Sequence, residues 1–285
     1  MKLMSDSPGL PTDTTPLQAS EASGCLDDAV NGGDRIFEFP CNERIRILMR
    51  VDCMTRRIRY FSEKHSQFEH ESCLHALFEL YELLSSRGDI KNELLQELDR
   101  QRAQLNRFID QPGVSNDRLR EVLNEISLAH ANLAEVPVRL GPHLAEFEFL
   151  QGLKGRVGIP AGSCPFDLPS YFVWLHRAVE VRKASLDAWV APLAPLMDAT
   201  ALCLRILRDG AEPARYQASQ GVFELNPEGR LARLIRVRIP REPELVCEVS
   251  ANKYVVAVRF RALDDQLRPK AIESRVDFEL TLCDF

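Results

Sequence analysis

The sequence predicts an α+β protein, an amino-terminal helical bundle followed by a carboxy-terminal antiparallel β-sheet domain. From Asn42 to about Arg208 apolar residues recur every three or four positions, the period of a helix with one buried face. Beyond Gly210 the period falls to two, the mark of strands. Clusters of Gly, Pro, Asn and Asp punctuate both halves. The expected organisation is an extension over residues 1–33, a helical domain over 34–209 and a β domain over 210–285.

Residues 1–33 are rich in Ser, Thr, Pro, Gly and Asp and show no apolar period. Ordering them would cost entropy with little burial in return, so a disordered extension is expected. Ile36-Phe37-Glu38-Phe39 alternates as a strand does, and residues 34–40 could return to pair with the β domain. Asn42 is placed to cap a helix bearing Ile45, Leu48, Met49 and Ile58. A second helix carries Leu74, Leu77, Phe78, Tyr81 and Leu84 and stops at Arg87-Gly88. Asp89 should cap a third, with Ile90, Leu94, Leu98, Leu105 and Ile109 on one side, ending before Pro112-Gly113. Ser115 opens a fourth with Leu119, Leu123, Ile126 and Leu133. Each apolar stripe requires a packing partner, which makes a bundle.

Gly158 to Pro169 holds two glycines and three prolines in twelve residues, so it cannot be a regular element. It also carries Ile159, Phe166 and Leu168, more apolar surface than a solvated linker needs. A fixed, packed loop is expected, with Phe166 and Leu168 filling core. A helical segment at Tyr171–His176 follows, and then a long one over Ala184–Arg208 that Pro192 and Pro195 should break or kink. Strands are expected at Leu231–Ile239, Leu245–Ser250, Tyr254–Ala262 and Ser274–Leu282, spaced as hairpins.

The net charge is −6, and residues 1–34 hold one base and six acids, a local −5 that leaves the remainder at −1. General attraction to nucleic acid or to an anionic membrane is disfavoured, while local cationic patches remain open. The eight cysteines form no CxxC or paired framework, and reduced structural thiols are expected of Cys53, Cys203 and Cys247. No apolar run approaches the ~20 residues of a membrane span, and the amino terminus has no signal-peptide core, so a cytoplasmic protein is expected.

The chemistry that stands out is cationic. Alternation puts Ile235, Val237 and Ile239 on one strand face and Arg236 and Arg238 on the other. It puts Tyr254, Val256, Val258 and Phe260 toward the core and turns Lys253, Val255, Ala257, Arg259 and Arg261 outward. On one sheet, these strands would gather five bases on a single face. Cross-strand pairing with Asp277 and Glu279 is the plainer reading, but five bases against two acids leave surplus charge. Guanidinium groups suit carboxylates, so the natural ligand is an acidic peptide. A second set comprises Arg46 and Arg50, four apart on one helix face, with Lys154, Arg156 and His176 flanking the packed loop. Ordinary solvated helix faces would present the same residues.

Catalytic readings are weak. Cys164, Asp167 and His176 lack the setting of an activated thiol. His65, His70, Cys73 and His75 form no closed metal motif. There is no G-x-G-x-x-G or P-loop, and neither cofactor nor metal is expected.

Three stretches carry a resemblance: Phe37-Glu38-Phe39-Pro40-Cys41-Asn42-Glu43-Arg44-Ile45-Arg46, Gly88-Asp89-Ile90-Lys91-Asn92-Glu93-Leu94-Leu95-Gln96-Glu97-Leu98-Asp99-Arg100, and the packed loop continuing through Trp174-Leu175-His176. With the terminal Arg275-Val276-Asp277-Phe278-Glu279-Leu280, they resemble in order the ZapD family of cell-division proteins. The resemblance implies a cytoplasmic, non-enzymatic homodimer at the division site that binds the carboxy-terminal tail of FtsZ and cross-links its filaments. It also implies bases at Arg46, Arg50, Arg87, Lys154, Arg156, Lys253 and Arg259 and a histidine at His176. Where relatives can carry a further arginine this chain has Val255, with Arg261 and Arg236 as the bases that could compensate. The peptide site expected is Arg87, Arg236, Lys253, Arg259 and Arg261. The alternative is a nucleic-acid-binding module on the same arginines, disfavoured because Tyr254 and Phe260 are expected on the apolar face, away from any stacked base. Neither a membrane nor a nucleic-acid partner is expected.

Overall fold

The computed structural model describes residues 33–137, 141–156, 158–241 and 244–285. The expected extension, apart from Gly33, lies outside the described residues. The chain opens with β1 (Arg35–Pro40) and continues through α1 (Glu43–Ser62), α2 (Gln67–Ser86), α3 (Ile90–Asn106), α4 (Asn116–Glu135), α5 (Pro142–Ala145), α6 (Glu148–Lys154), α7 (Pro169–Leu175), α8 (Val179–Val190) and α9 (Ala194–Asp209). It closes with β2 (Ala214–Ala218), β3 (Val222–Leu225), β4 (Leu234–Ile239), β5 (Leu245–Ala251), β6 (Val256–Leu263), β7 (Pro269–Lys270) and β8 (Val276–Cys283). The α+β class is as the period change predicts.

The helix starts follow from their caps. Asn42 Oδ1 accepts from the Ile45 amide at 2.9 Å. Ser66 and Glu69 form a reciprocal capping box on α2. Asp89, by contrast, makes no side-chain cap, because its backbone is already in the helical region and turns the carboxylate away from the free amides. Lys91 instead closes another helix, donating to the Ala134 carbonyl at 2.8 Å and to that of Val136 at the end of α4. Ile109, expected on the third helix, falls beyond its end and is exposed. Pro192 stands in a single 3₁₀ turn, Ala191–Leu193, between α8 and α9. The stretch Val179–Asp209 as a whole is long and apolar enough to satisfy a membrane-span criterion, against the expectation from sequence. Its Leu186, Trp189, Leu193, Leu196, Leu204 and Leu207 are nevertheless buried in the bundle core, which accounts for its hydropathy.

The β domain departs from the single sheet expected. It holds two sheets, β1-β4-β8-β2 and β3-β6-β5, with β7 pairing β6. Ile235, Val237, Phe278 and Leu280 of the first share a core with Cys247, Val256, Val258 and Phe260 of the second. Phe260 and Phe278 meet edge to face at 5.0 Å across it. This is a sandwich. β1 returns to the first sheet as alternation suggested, antiparallel to β4 with Arg35 opposite Ile239 and Pro40 opposite Leu234.

Candidate functional site

Because β4 and β6 belong to different sheets whose apolar faces meet, their polar faces look away from each other, and the five-base face does not form. Arg236 is not an open ligand group either. Its Nε donates to Glu38 Oε1 at 2.9 Å, and Glu38 is at once gripped by Arg208 at 2.9 and 2.8 Å through both carboxylate oxygens. Asp52 adds Arg56 at 2.5 Å and lies 3.7 Å from Arg208. Burial alone would push the Arg208 guanidinium down, but its bonds to Glu38 outweigh that and hold it above its ordinary value, so it stays charged. This network ties β1 and β4 to α1 and α9.

A second junction carboxylate, Glu97, has a side chain with no solvent exposure. It accepts from Arg233 at 2.5 and 2.7 Å and from Arg100 at 2.7 Å, with Arg44 at 3.6 Å. Arg100 and Arg233 also donate to the Phe285 carbonyl, at 2.6 and 3.2 Å. Sequence reading assigned no role to Glu38 or Glu97. The available signal was a carboxylate inside an apolar strand or stripe, which a protein tolerates only when it is paired.

The exposed bases of the two predicted sets occupy other places. On the outer face of the second sheet, Arg259 stands between Val222 and Glu248 in register, and Arg261 reaches Glu248 at 3.6 Å. Among the described residues no carboxylate lies within ion-pair distance of Arg259 or Lys253. Lys253 sits in the turn between β5 and β6, its Nζ 4.7 Å from the Tyr254 ring centroid. That turn starts the strand later than expected, so Tyr254 is 70% exposed and off the core face.

Along the helices, Arg46 and Arg87 meet on one carboxylate, at 3.3 and 2.9 Å from Glu43. Arg87 therefore belongs with the helical set. Arg57 and Glu79, at 2.6 Å, cross-link α1 and α2 farther along, and Arg50, seven residues from both Glu43 and Arg57, falls on the same side between those links. Arg50 is exposed and, among the described residues, without an ion pair. Lys154 joins this strip through Glu82 at 3.6 Å and the Tyr81 ring at 4.4 Å.

Arg156 and His176 lie away from it. Arg156 clamps Asp167 at 3.0 Å, closing the Gly158–Pro169 loop, while Ser163 donates to Glu71 at 3.1 Å. A Cβ on Gly162 would meet the Arg156 carbonyl at 2.6 Å, so that turn admits only glycine. The loop is fixed by these polar ties rather than by Phe166, which is 83% exposed and not core as expected; Leu168 is half-buried against the bundle. His176 hydrogen-bonds the Phe172 carbonyl at 2.8 Å and sits by the start of α2, since Gln67 donates to the adjacent Leu175 carbonyl. Arg87 is at the other end of that twenty-residue helix, about 30 Å away.

The topology brings the sheet turn toward the helical strip. Leu225 and Ala251 both lie opposite Val256, one on each side of β6, so the Asn226–Arg233 loop and the Asn252–Val255 turn leave the sandwich at the same end. The first of them enters β4 at Leu234, opposite Pro40, from which α1 departs. Lys253 is thus at the end of the sandwich nearest Glu43, Arg46 and Arg87.

The catalytic and metal alternatives lose their residues to other bonds. His70 Nδ1 accepts from the Arg182 Nε at 3.0 Å and its Nε2 faces the Lys64 carbonyl at 2.8 Å, so both ring nitrogens are spent. Buried Arg182 also donates to the carbonyls of His65, Leu175 and Arg177. Asp167 is paired with Arg156 at 3.0 Å. Cys203 and Cys247 are buried, and burial pushes the Cys247 thiol up to about 12, as suits structural thiols.

The molecule is thus a helical bundle locked to a β-sandwich by buried ion networks, with further bases exposed outside them. The family described as "ZapD: Cell division protein" matches residues 49–259. The protein named "Cell division protein ZapD" of Azoarcus sp. (strain BH72) is 39% identical over 247 residues, covering 87% of this chain and 98% of that relative. This chain belongs to the ZapD family of cell division proteins.

Proposed function

We propose that this cell division protein binds the acidic carboxy-terminal tail of FtsZ and, as a homodimer in the cytoplasm at the division site, cross-links FtsZ filaments. The observation that carries this reading is where the surplus charge sits. Every junction arginine faces a buried carboxylate, whereas among the described residues Lys253, Arg259 and Arg50 are exposed without an ion pair, and Arg46 and Arg87 share a single glutamate. An acidic peptide would supply the missing partners through charge-assisted bonds. Two symmetry-related sites on a dimer suffice for cross-linking. No catalytic step or cofactor enters. The test is binding of a peptide copied from the FtsZ tail of the same organism, over a salt series. Affinity should fall steeply as salt rises, since exposed charges are screened within about 8–10 Å at physiological ionic strength. Salt-independent binding, or none, would refute the reading.

One observation favours the nucleic-acid alternative: Tyr254 is exposed beside Lys253, where a base could stack. A single aromatic is short of the row that single-strand binders use. An oligonucleotide that bound more tightly than the peptide at the same salt would reverse the assignment.

A further inference from the structure

Resting on that reading, we infer that the ligand is an acidic peptide with an apolar or aromatic side chain, and that Tyr254 and Leu231 form the anchor that selects it. Both are large apolar residues displayed at loop tips, 70% and 68% exposed. They leave the same end of the sandwich, because Leu225 and Ala251 both lie opposite Val256, one on each side of β6. Each tip is fixed rather than loose. Asn252 Oδ1 accepts from the amides of Tyr254 and Val255 at 2.8 and 3.0 Å, and the Asn252 amide donates to the Val255 carbonyl at 2.9 Å. Asn226 Oδ1 accepts from Glu228 at 2.9 Å, and the Arg230 amide donates to the Pro227 carbonyl at 2.9 Å.

Ordering these tips in advance removes the entropy that a binding loop otherwise loses. Bases border the apolar pair, with Lys253 4.7 Å from the Tyr254 ring and Arg230 exposed next to Leu231. The tips stand at the end of the sandwich from which β1 leads into α1, the helix that carries Arg46. Charge alone recognises any acidic segment. A tyrosine with two rotatable torsions adds contact area at low entropic cost and discriminates among them, which is why tyrosine is enriched among the residues that dominate interfaces.

The experiment compares two labelled peptides at one salt concentration: the FtsZ tail, and an oligoglutamate of the same length and net charge. Tyr254→Ala and Leu231→Ser should each weaken tail binding about tenfold and leave oligoglutamate within about twofold, with Tyr254→Phe restoring most of the loss. Lys253→Glu should weaken both peptides. Unchanged tail affinity in Tyr254→Ala, with Lys253→Glu still weakening it, overturns the anchor and keeps the charge reading. Equal loss for both peptides also overturns it, since Tyr254 would then only orient Lys253. If even Lys253→Glu changes neither, the charge reading of this end of the sandwich fails as well. Conversion of a dimer to monomers by Tyr254→Ala in sedimentation, or loss of oligonucleotide rather than peptide binding, would assign the tip to another occupant and end the inference.

Discussion

The junction and the exposed cationic strip use the same guanidinium–carboxylate chemistry for opposite ends. At the junction one carboxylate serves two or three arginines in the absence of water, as Glu97 does for Arg100 and Arg233 and Glu38 for Arg208 and Arg236. On the strip the ratio is similar around Glu43, but the groups are half-exposed. Burial makes the first set indispensable to the fold, because an unpaired charge there has no solvent to turn to. Exposure makes the second set nearly neutral for stability and available to a partner.

The largest effect that would sharpen this contrast is at Glu97. Replacing it by alanine strands the buried ends of two arginines and should cost about 3–5 kcal/mol in denaturant unfolding. A loss below about 1 kcal/mol would mean that water reaches the junction. Next comes the double reversal Lys253→Glu, Arg259→Glu, which should abolish FtsZ bundling in a sedimentation assay. It should leave the unfolding free energy within about 0.5 kcal/mol, as surface substitutions do. Normal bundling at physiological salt would move the site to Arg46, Arg50 and Lys154.

A smaller effect is expected of His70. Burial, and to a lesser degree the charge of Arg182, hold its protonation below the ordinary histidine range. The unfolded chain takes up a proton near pH 6.5 that the folded chain refuses. Stability from this group is therefore complete above about pH 6.5 and is lost as pH falls, at up to about 1.4 kcal/mol per pH unit. A chemical-denaturation series from pH 7 to 5 should show the decline, and His70→Gln should flatten it. The smallest effect belongs to Phe166→Ala, within about 0.5 kcal/mol at its exposed site, with half-buried Leu168→Ala costing more. The reverse order would place Phe166 under cover that the fold does not give it.

Sequence alone made most elements legible because caps and periods are local: Asn42 and Ser115 start helices, Pro192 divides α8 from α9, and β1 alternates like the strands it joins. What was not legible is non-local. Alternation tells which residues of a strand share a face but not which sheet the strand enters, so Arg236 and Arg259 were joined although the sandwich separates them. Tyr254 continues the alternation of β6 by position, yet Asn252 captures its amide and keeps it in the turn. The hydrophobicity of Phe166 suggests a core position, whereas the loop is tied by Arg156 and Ser163 instead. Arg87 was grouped with the sheet, and only the antiparallel packing of α1 and α2 set it on Glu43. Glu38 and Glu97 lie within the stretches that carry the family resemblance, but their burial and pairing depend on contacts distant in sequence.

β1 is made at the start of the chain, and its Glu38 meets Arg236, 198 residues later. β8, which ends two residues before the last, lies between β4 and β2 in the same sheet. Closing this sheet therefore brings together segments far apart in sequence, a loop-closure cost that contacts within the helices do not carry. The helices, whose contacts are largely among themselves, can collapse before the sandwich and the locked junction close. Until β8 docks between β4 and β2, the bundle carries strands with unpaired edges, so the interior strand of this sheet is the one that removes the exposed edges.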